Sequence, residues 1–324
     1  MNKRVLITEP VIPSVIQRLE NDFTVEVGER GRFNNEQALV EAIPKYHGLL
    51  PMLSNPITNK VIAAGKNLEI IANYAVGYNN IDIEAADKHN VAVANTPDVL
   101  TDSCAEFTMA ILLAVSRRLV EAQEYLLDGQ FESWDPMGFL GMELQGQTLG
   151  IIGMGRIGTA VARRARAFGM QIQYHNRNRV STDIENELDA RYIESVEELA
   201  RTSDVITLHC PLTESTRHLI DADILALMSN KAILLNTARG PVVDEAALAN
   251  ALHNGTIGGA ALDVFEEEPK VHPKLQNAPN CLLTPHMASA SYSTREAIGM
   301  MAADAISGIL NGKPPSEIPN LIQP

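Results

Sequence analysis

Two parallel α/β domains, each a doubly wound sheet, are predicted by three observations. Short apolar strand-like runs alternate with amphipathic helical stretches through the first hundred residues, and again from Thr148 onward. The chain has 324 residues, enough for two domains that each bury a core. Between the alternating regions the texture changes, and residues 107–115 are apolar nearly all round.

In chain order, strands are predicted at 4–8, 23–27, 48–53, 68–73 and 91–93. Helices with polar outer faces are predicted at 12–20, 36–43, 59–65 and 83–90. Ser103-Cys104-Ala105-Glu106 has capping-box spacing, and no proline or glycine follows until after Leu127, so helix is expected there, bridging the two domains. Residues 129–146, with Trp134, Pro136, Gly138 and Gly141, read as a loop. Six more strands are expected at 148–152, 171–175, 204–209, 232–236, 258–263 and 281–284. Helices at 156–168, 196–202 and 245–253 lie between them. A last helix, 293–310, has no periodicity that assigns it to either domain.

Composition narrows the functions. The formal net charge of −14 opposes binding to nucleic acid or anionic lipid. No apolar run reaches membrane-spanning length and no signal-peptide pattern opens the chain, so a cytoplasmic protein without a membrane partner is expected. Cys104, Cys210 and Cys281 have no paired spacing, and no metal site is expected.

The most informative stretch is Thr148-Leu149-Gly150-Ile151-Ile152-Gly153-Met154-Gly155-Arg156-Ile157-Gly158. It reads as a strand, a glycine turn and a helix, which suits a pyrophosphate bound on backbone N–H groups. Gly153 would permit the turn, Gly155 the approach of the phosphates, and Gly158 close packing of helix on strand. An NAD site normally places an acid at the end of the next strand. Here that place reads His175-Asn176-Arg177-Asn178-Arg179, with no acid before Asp183. Two arginines and two amides suit a 2′-phosphate, so NADP(H) is the expected cofactor, with NAD(H) as the alternative.

Three polar pieces end later strands: Asn236-Thr237-Ala238-Arg239-Gly240, Asp263-Val264-Phe265-Glu266-Glu267-Glu268-Pro269 and Thr284-Pro285-His286-Met287-Ala288-Ser289. An arginine can grip a carboxylate with two hydrogen bonds, a histidine can pass a proton, and a nearby glutamate favours its protonated form. Taken singly, Arg239 could brace its turn, Glu268 could belong to a solvated acidic run, and His286 could be a satisfied core histidine.

Together with the glycine turn, residues 227–240, Glu268-Pro269 and Pro285-His286 make the chain resemble the D-isomer-specific 2-hydroxyacid dehydrogenases, from the N-terminal domain through the last helix. The resemblance implies a Rossmann cofactor domain, residues 101–288, inserted into a flavodoxin-like substrate domain of residues 1–100 and 289–324. It implies that Arg239 polarises a 2-oxo acid, that His286 is the acid/base and that Glu268 pairs with it. Val76 and Gly77 in Tyr74-Ala75-Val76-Gly77-Tyr78 would hold the substrate carboxylate on their N–H groups. Arg156, Ile157, Cys210, Pro211, Thr237, Ala238, Asp263 and Ala288 would join the cofactor site, although Ala288 stands where the family commonly has glycine. A homodimer through the cofactor domains and the 129–146 loop is also implied. Residues 96–102 look most like those of glyoxylate and hydroxypyruvate reductases, commonly NADPH-dependent. Alternatives are a D-lactate- or 2-ketogluconate-type dehydrogenase and a non-enzymatic NAD(H)-responsive corepressor.

Overall fold

The structure, a computed structural model, describes residues 3–322. The chain divides into two compact units, one comprising residues up to Leu100 together with those from Ala290 onward, the other Thr101–Ser289.

In the first unit the strands are β1 (Arg4–Ile7), β2 (Thr24–Val27), β3 (Gly48–Leu50), β4 (Ile70–Ala72) and β5 (Ala92–Ala94). All neighbours pair parallel, in the order β2-β1-β3-β4-β5. The helices between them are α1 (Pro13–Glu20), α2 (Glu36–Ala42), α3 (Asn59–Ala64) and α4 (Ile83–Lys88). Local chemistry starts them. Pro13 occupies the first turn of α1, where its missing N–H has no cost, and Asn35 and Asp82 cap α2 and α4, such caps contributing about 1 kcal/mol each. The three central strands are fully buried or nearly so, as expected for a sheet covered on both faces.

The second unit opens with α5 (Thr101–Ser116) and α6 (Leu119–Leu127), followed by β6 (Thr148–Ile152), α7 (Arg156–Ala167), β7 (Gln171–His175), α8 (Thr182–Leu188) and β8 (Ala190–Tyr192). Then come α9 (Val196–Thr202), β9 (Val205–Leu208), α10 (Ala222–Leu227), β10 (Ile233–Asn236), α11 (Glu245–His253), β11 (Gly259–Leu262) and β12 (Cys281–Leu283). The parallel sheet runs β12-β11-β10-β9-β6-β7-β8. Counted from β6, this is the dinucleotide-binding order 3-2-1-4-5-6 with one further strand, and the order reverses between β6 and β9.

Three expectations are corrected. The sheet has seven strands rather than six: β8, three residues on an edge, has no run of apolar residues to announce it. Ser103 is not a cap, because α5 begins two residues earlier at Thr101. The helical stretch also breaks at Arg118, which adopts φ 52°, a left-handed conformation that no proline or glycine marks. The last helix, α12 (Tyr292–Leu310), belongs to the first unit, where it packs on α1 and on β3–β5.

Candidate active site

The glycine turn lies where the sheet order reverses. Gly153 has φ 96°, and a Cβ there would sit 2.4 Å from the backbone N of Cys210, just beyond β9. Gly158 lets α7 approach β6, since its Cβ would lie 2.6 Å from the Gly153 carbonyl oxygen. Gly155 differs: a Cβ there would meet nothing of the chain within 4 Å. The chain therefore requires glycine at 153 and 158 for its own packing, whereas the open side of Gly155, at the first turn of α7, fits an external phosphate. Arg156 is exposed beside it, Ile157 packs on the core, and Pro211 is exposed after Cys210.

The end of β7 divides the four residues expected at a 2′-phosphate. The Asn176 side chain turns to the glycine turn, its Oδ1 accepting from the Met154 N–H at 2.7 Å. Arg179 is held by Glu185, to which its Nε and Nη2 donate at 2.9–3.1 Å, and it lies over the Tyr192 ring. Arg177 and Asn178 are exposed and make no hydrogen bond or ion pair among the described residues. Asn176 is thus a brace of the turn, a role that its position after the strand did not announce.

The three polar pieces follow β10, β11 and β12, which are adjacent in the sheet. Asn236 folds the first: its Oδ1 accepts from the Ala238 N–H, and its Nδ2 donates to the Arg239 carbonyl at 2.9 Å. Thr237 and Thr108 hydroxyls lie 3.2 Å apart, tying this turn to α5. Arg239 is half-buried, with Nη1 donating to the Ala238 carbonyl at 2.6 Å. Gly240 lets the second piece pass, since a Cβ there would fall 1.9 Å from the Phe265 carbonyl carbon. In that piece it is Glu268, among the three consecutive glutamates, that reaches His286, with Oε2 2.8 Å from Nδ1. Its Oε1 accepts from the Phe265 N–H at 3.1 Å. The His286 and Glu268 side chains keep 32% and 37% exposure, so the pair is open to a ligand.

Asp263 organises the third piece. Fully buried, it accepts from the Thr284 hydroxyl and from the Met287 and Ala288 N–H groups, at 2.7–2.8 Å. Its carboxylate therefore holds the loop that carries His286. The Ala288 carbonyl accepts from Ser103, and with 6% exposure Ala288 offers a ligand little surface.

In the first unit, the 74–78 loop follows β4. Asn73 and Asn95 donate to the carbonyls of Gly77 and Val76, at 2.7 and 2.8 Å. The N–H groups of Val76 and Gly77 donate to no acceptor among the described residues.

Charge in the second unit follows burial. Burial pushes the Arg239 pKa down, opposed by the negative charge of Glu268. Burial raises the Asp263 pKa against its three hydrogen-bond donors. For Glu268 burial also works upward, but the His286 hydrogen bond and charge, with help from Phe265 and Arg239, leave it below the usual carboxylate value. His209, beside Gly153 and 2.9 Å from the Thr207 hydroxyl, is lowered by burial from 6.5 to about 4. The unfolded chain thus binds the extra proton first, and stability that is full above pH 6.5 is lost as pH falls toward 4. Up to about 3 kcal/mol is involved, an upper limit because the ring keeps partial exposure. His209→Asn is expected to flatten the melting temperature between these pH values; curves parallel to the wild type would show that His209 does not contribute.

A glycine turn of this construction, at the reversal point of such a sheet, defines a dinucleotide-binding α/β protein. Residues 109–288 match the family model described as D-isomer specific 2-hydroxyacid dehydrogenase, NAD binding domain. A glyoxylate reductase of Thermococcus onnurineus (strain NA1) is 44% identical over 324 residues, covering 99% of this chain and 96% of the relative. Among solved structures, a protein of Thermus thermophilus superposes with a TM-score of 0.92 at 41% identity, covering 99% of this chain and 100% of that one. An NADPH-dependent glyoxylate/hydroxypyruvate reductase of Sinorhizobium meliloti, in complex with NADP and malonate, gives 0.86 at 34% identity over the whole of both chains. The chain belongs to the D-isomer-specific 2-hydroxyacid dehydrogenase family, and its cofactor is a nicotinamide dinucleotide. Among the described residues, no helix is long and apolar enough to cross a membrane, and no group of His, Cys, Asp or Glu could hold a metal ion.

Proposed function

We propose that the protein reduces a small 2-oxo acid, glyoxylate or hydroxypyruvate, to the D-2-hydroxy acid with NADPH. The observation that carries this reading is the Glu268–His286 pair on loops adjacent to the Arg239 turn, in the unit that bears the glycine turn. When bound, the coenzyme would supply the hydride, with its phosphates at the open side of Gly155 beside Arg156 and Ile157, and with Gly153 and Gly158 shaping the turn. His286 gives a proton to the carbonyl oxygen, and Glu268 holds the imidazole in place through Nδ1. Arg239 steadies the developing alkoxide. In the first unit, the N–H groups of Val76 and Gly77, which donate to no acceptor among the described residues, suit a carboxylate. Loss of NADPH absorbance on adding glyoxylate, hydroxypyruvate or pyruvate tests the reaction, and no loss with any of them rejects it.

The NADPH preference is supported by the absence of an acid after β7 and by Arg177, whose charge has no partner among the described residues. Arg177→Ala is expected to weaken NADPH about tenfold or more and to leave NADH little changed, as befits loss of a charge-assisted phosphate contact. Equal losses would remove Arg177 from coenzyme choice. A homodimer is part of this reading. Leu127, Phe131, Trp134 and Met137 are 60–80% exposed on α6 and the following loop, an apolar surface that a second copy would cover. Sedimentation equilibrium at micromolar concentration is expected to give twice the chain mass of 35.3 kDa.

A further inference from the structure

Behind the Glu268–His286 pair lies a second, buried carboxylate that the reaction above does not use. Glu245 is the first residue of α11 and is only 5% exposed. Its Oε1 accepts from the Glu266 N–H at 2.6 Å, and its own N–H donates to Glu266 Oε1 at 2.9 Å. The other oxygen of Glu266 meets His218 Nε2 at 2.9 Å. The backbone of Phe265 and Glu266 is thus tied on one side to α11 and pressed on the other against Gly240, next to Arg239. From that backbone the Phe265 N–H donates to Glu268 Oε1, whose partner oxygen is on His286.

We propose that Glu245 is a positioning residue, which sets the Glu268 carboxylate on His286 by fixing the Phe265–Glu266 backbone through the Glu266 N–H. Burial, with the charge of Glu266 adding to it, raises the Glu245 pKa, so the carboxylate sits where its charge is disfavoured. The helix start does not need it as a cap, because Asp244 already accepts from the Ala247 N–H. What Glu245 supplies is an acceptor for the Glu266 N–H, ahead of the Glu268 turn, on a carboxylate that His272 also faces. The inference rests on the reading of Glu268 and His286 as the working pair.

Asp244→Ala is the control, since it weakens the same helix end without touching residues 265–268. Glu245→Ala is expected to lower kcat about tenfold to a hundredfold, the scale of a small misplacement, while KM for the coenzyme holds. In free protein labelled at its glutamate carboxyls, the Glu268 resonance, assigned by its loss in Glu268→Gln, should titrate at higher pH in Glu245→Ala and unchanged in Asp244→Ala. Glu245→Gln keeps an oxygen acceptor and should recover most of the turnover. Should Glu245→Ala not fold, Glu245→Asp withdraws the oxygen by one methylene and is expected to act in the same direction. An unmoved Glu268 titration, the same movement in Asp244→Ala, or a Gln variant as impaired as Ala overturns the proposal. Because the titration needs no substrate, a moved resonance in a protein that reduces no 2-oxo acid rejects the reductase reading and leaves the brace standing.

Discussion

Replacement of His286 is expected to reduce 2-oxo acid turnover near neutral pH by about a thousandfold, the middle of the range for a general acid. The fold should survive. The His286 ring is partly exposed, and the loop around it is held by Asp263 through the Thr284 hydroxyl and the backbones of Met287 and Ala288, none of which needs the imidazole. His286 itself has φ 51°, a conformation that asparagine accepts more readily than alanine. His286→Asn is therefore the better variant, with His286→Ala beside it. Single-turnover oxidation of bound NADPH by glyoxylate reads the chemical step directly. Near-normal rates in both variants would remove His286 from the mechanism.

Arg239→Lys is expected to lower kcat/KM for the 2-oxo acid by about a hundredfold to a thousandfold, the range seen when a donor aimed at developing negative charge is lost. Two physical effects act together. Lysine has no planar fork, so it cannot make two parallel hydrogen bonds to the substrate. It also has less margin against burial, which already pushes the Arg239 pKa down. Asn236 shapes this turn through backbone groups, which the substitution leaves in place. Coenzyme affinity, read by quenching of protein fluorescence, should hold within a few-fold. A parallel loss of coenzyme and substrate binding would mean that Arg239 supports the turn rather than the reaction.

Much of this was legible in the chain. The alternation of strand and helix announced both sheets, because each parallel strand is a short apolar run and each crossover helix has one apolar face. β6, β7, α9 and α11 fall on their predicted bounds. The glycine spacing was legible too, because a turn against a neighbouring strand and a helix packed on its own strand each exclude a side chain. What local pattern could not show was pairing between loops. Glu268 stands apart from Glu266 and Glu267 only by preceding Pro269, and through that pair the resemblance joined it to His286, but nothing in the run showed that Glu266 would meet His218 and Glu245. Arg177 and Arg179 are two residues apart, yet one is unpaired among the described residues and the other is held by Glu185. β8 was missed for a related reason, since its three residues become a strand only by lying against β7.

The amino-acid sequence by itself determined that this is a two-sheet α/β chain with a dinucleotide turn at Gly153, Gly155 and Gly158, and that Arg239, Glu268 and His286 end neighbouring segments of it. These depend on residue size, polarity and spacing, which are local. The tertiary structure alone decided that Asp263 holds the His286 loop through the Thr284 hydroxyl and the Met287 and Ala288 N–H groups, and that Asn176 braces the glycine turn. Each of these joins groups 18 or more residues apart, brought together by the parallel register of adjacent strands and by which carboxylates and amides the folded chain leaves in reach of one another.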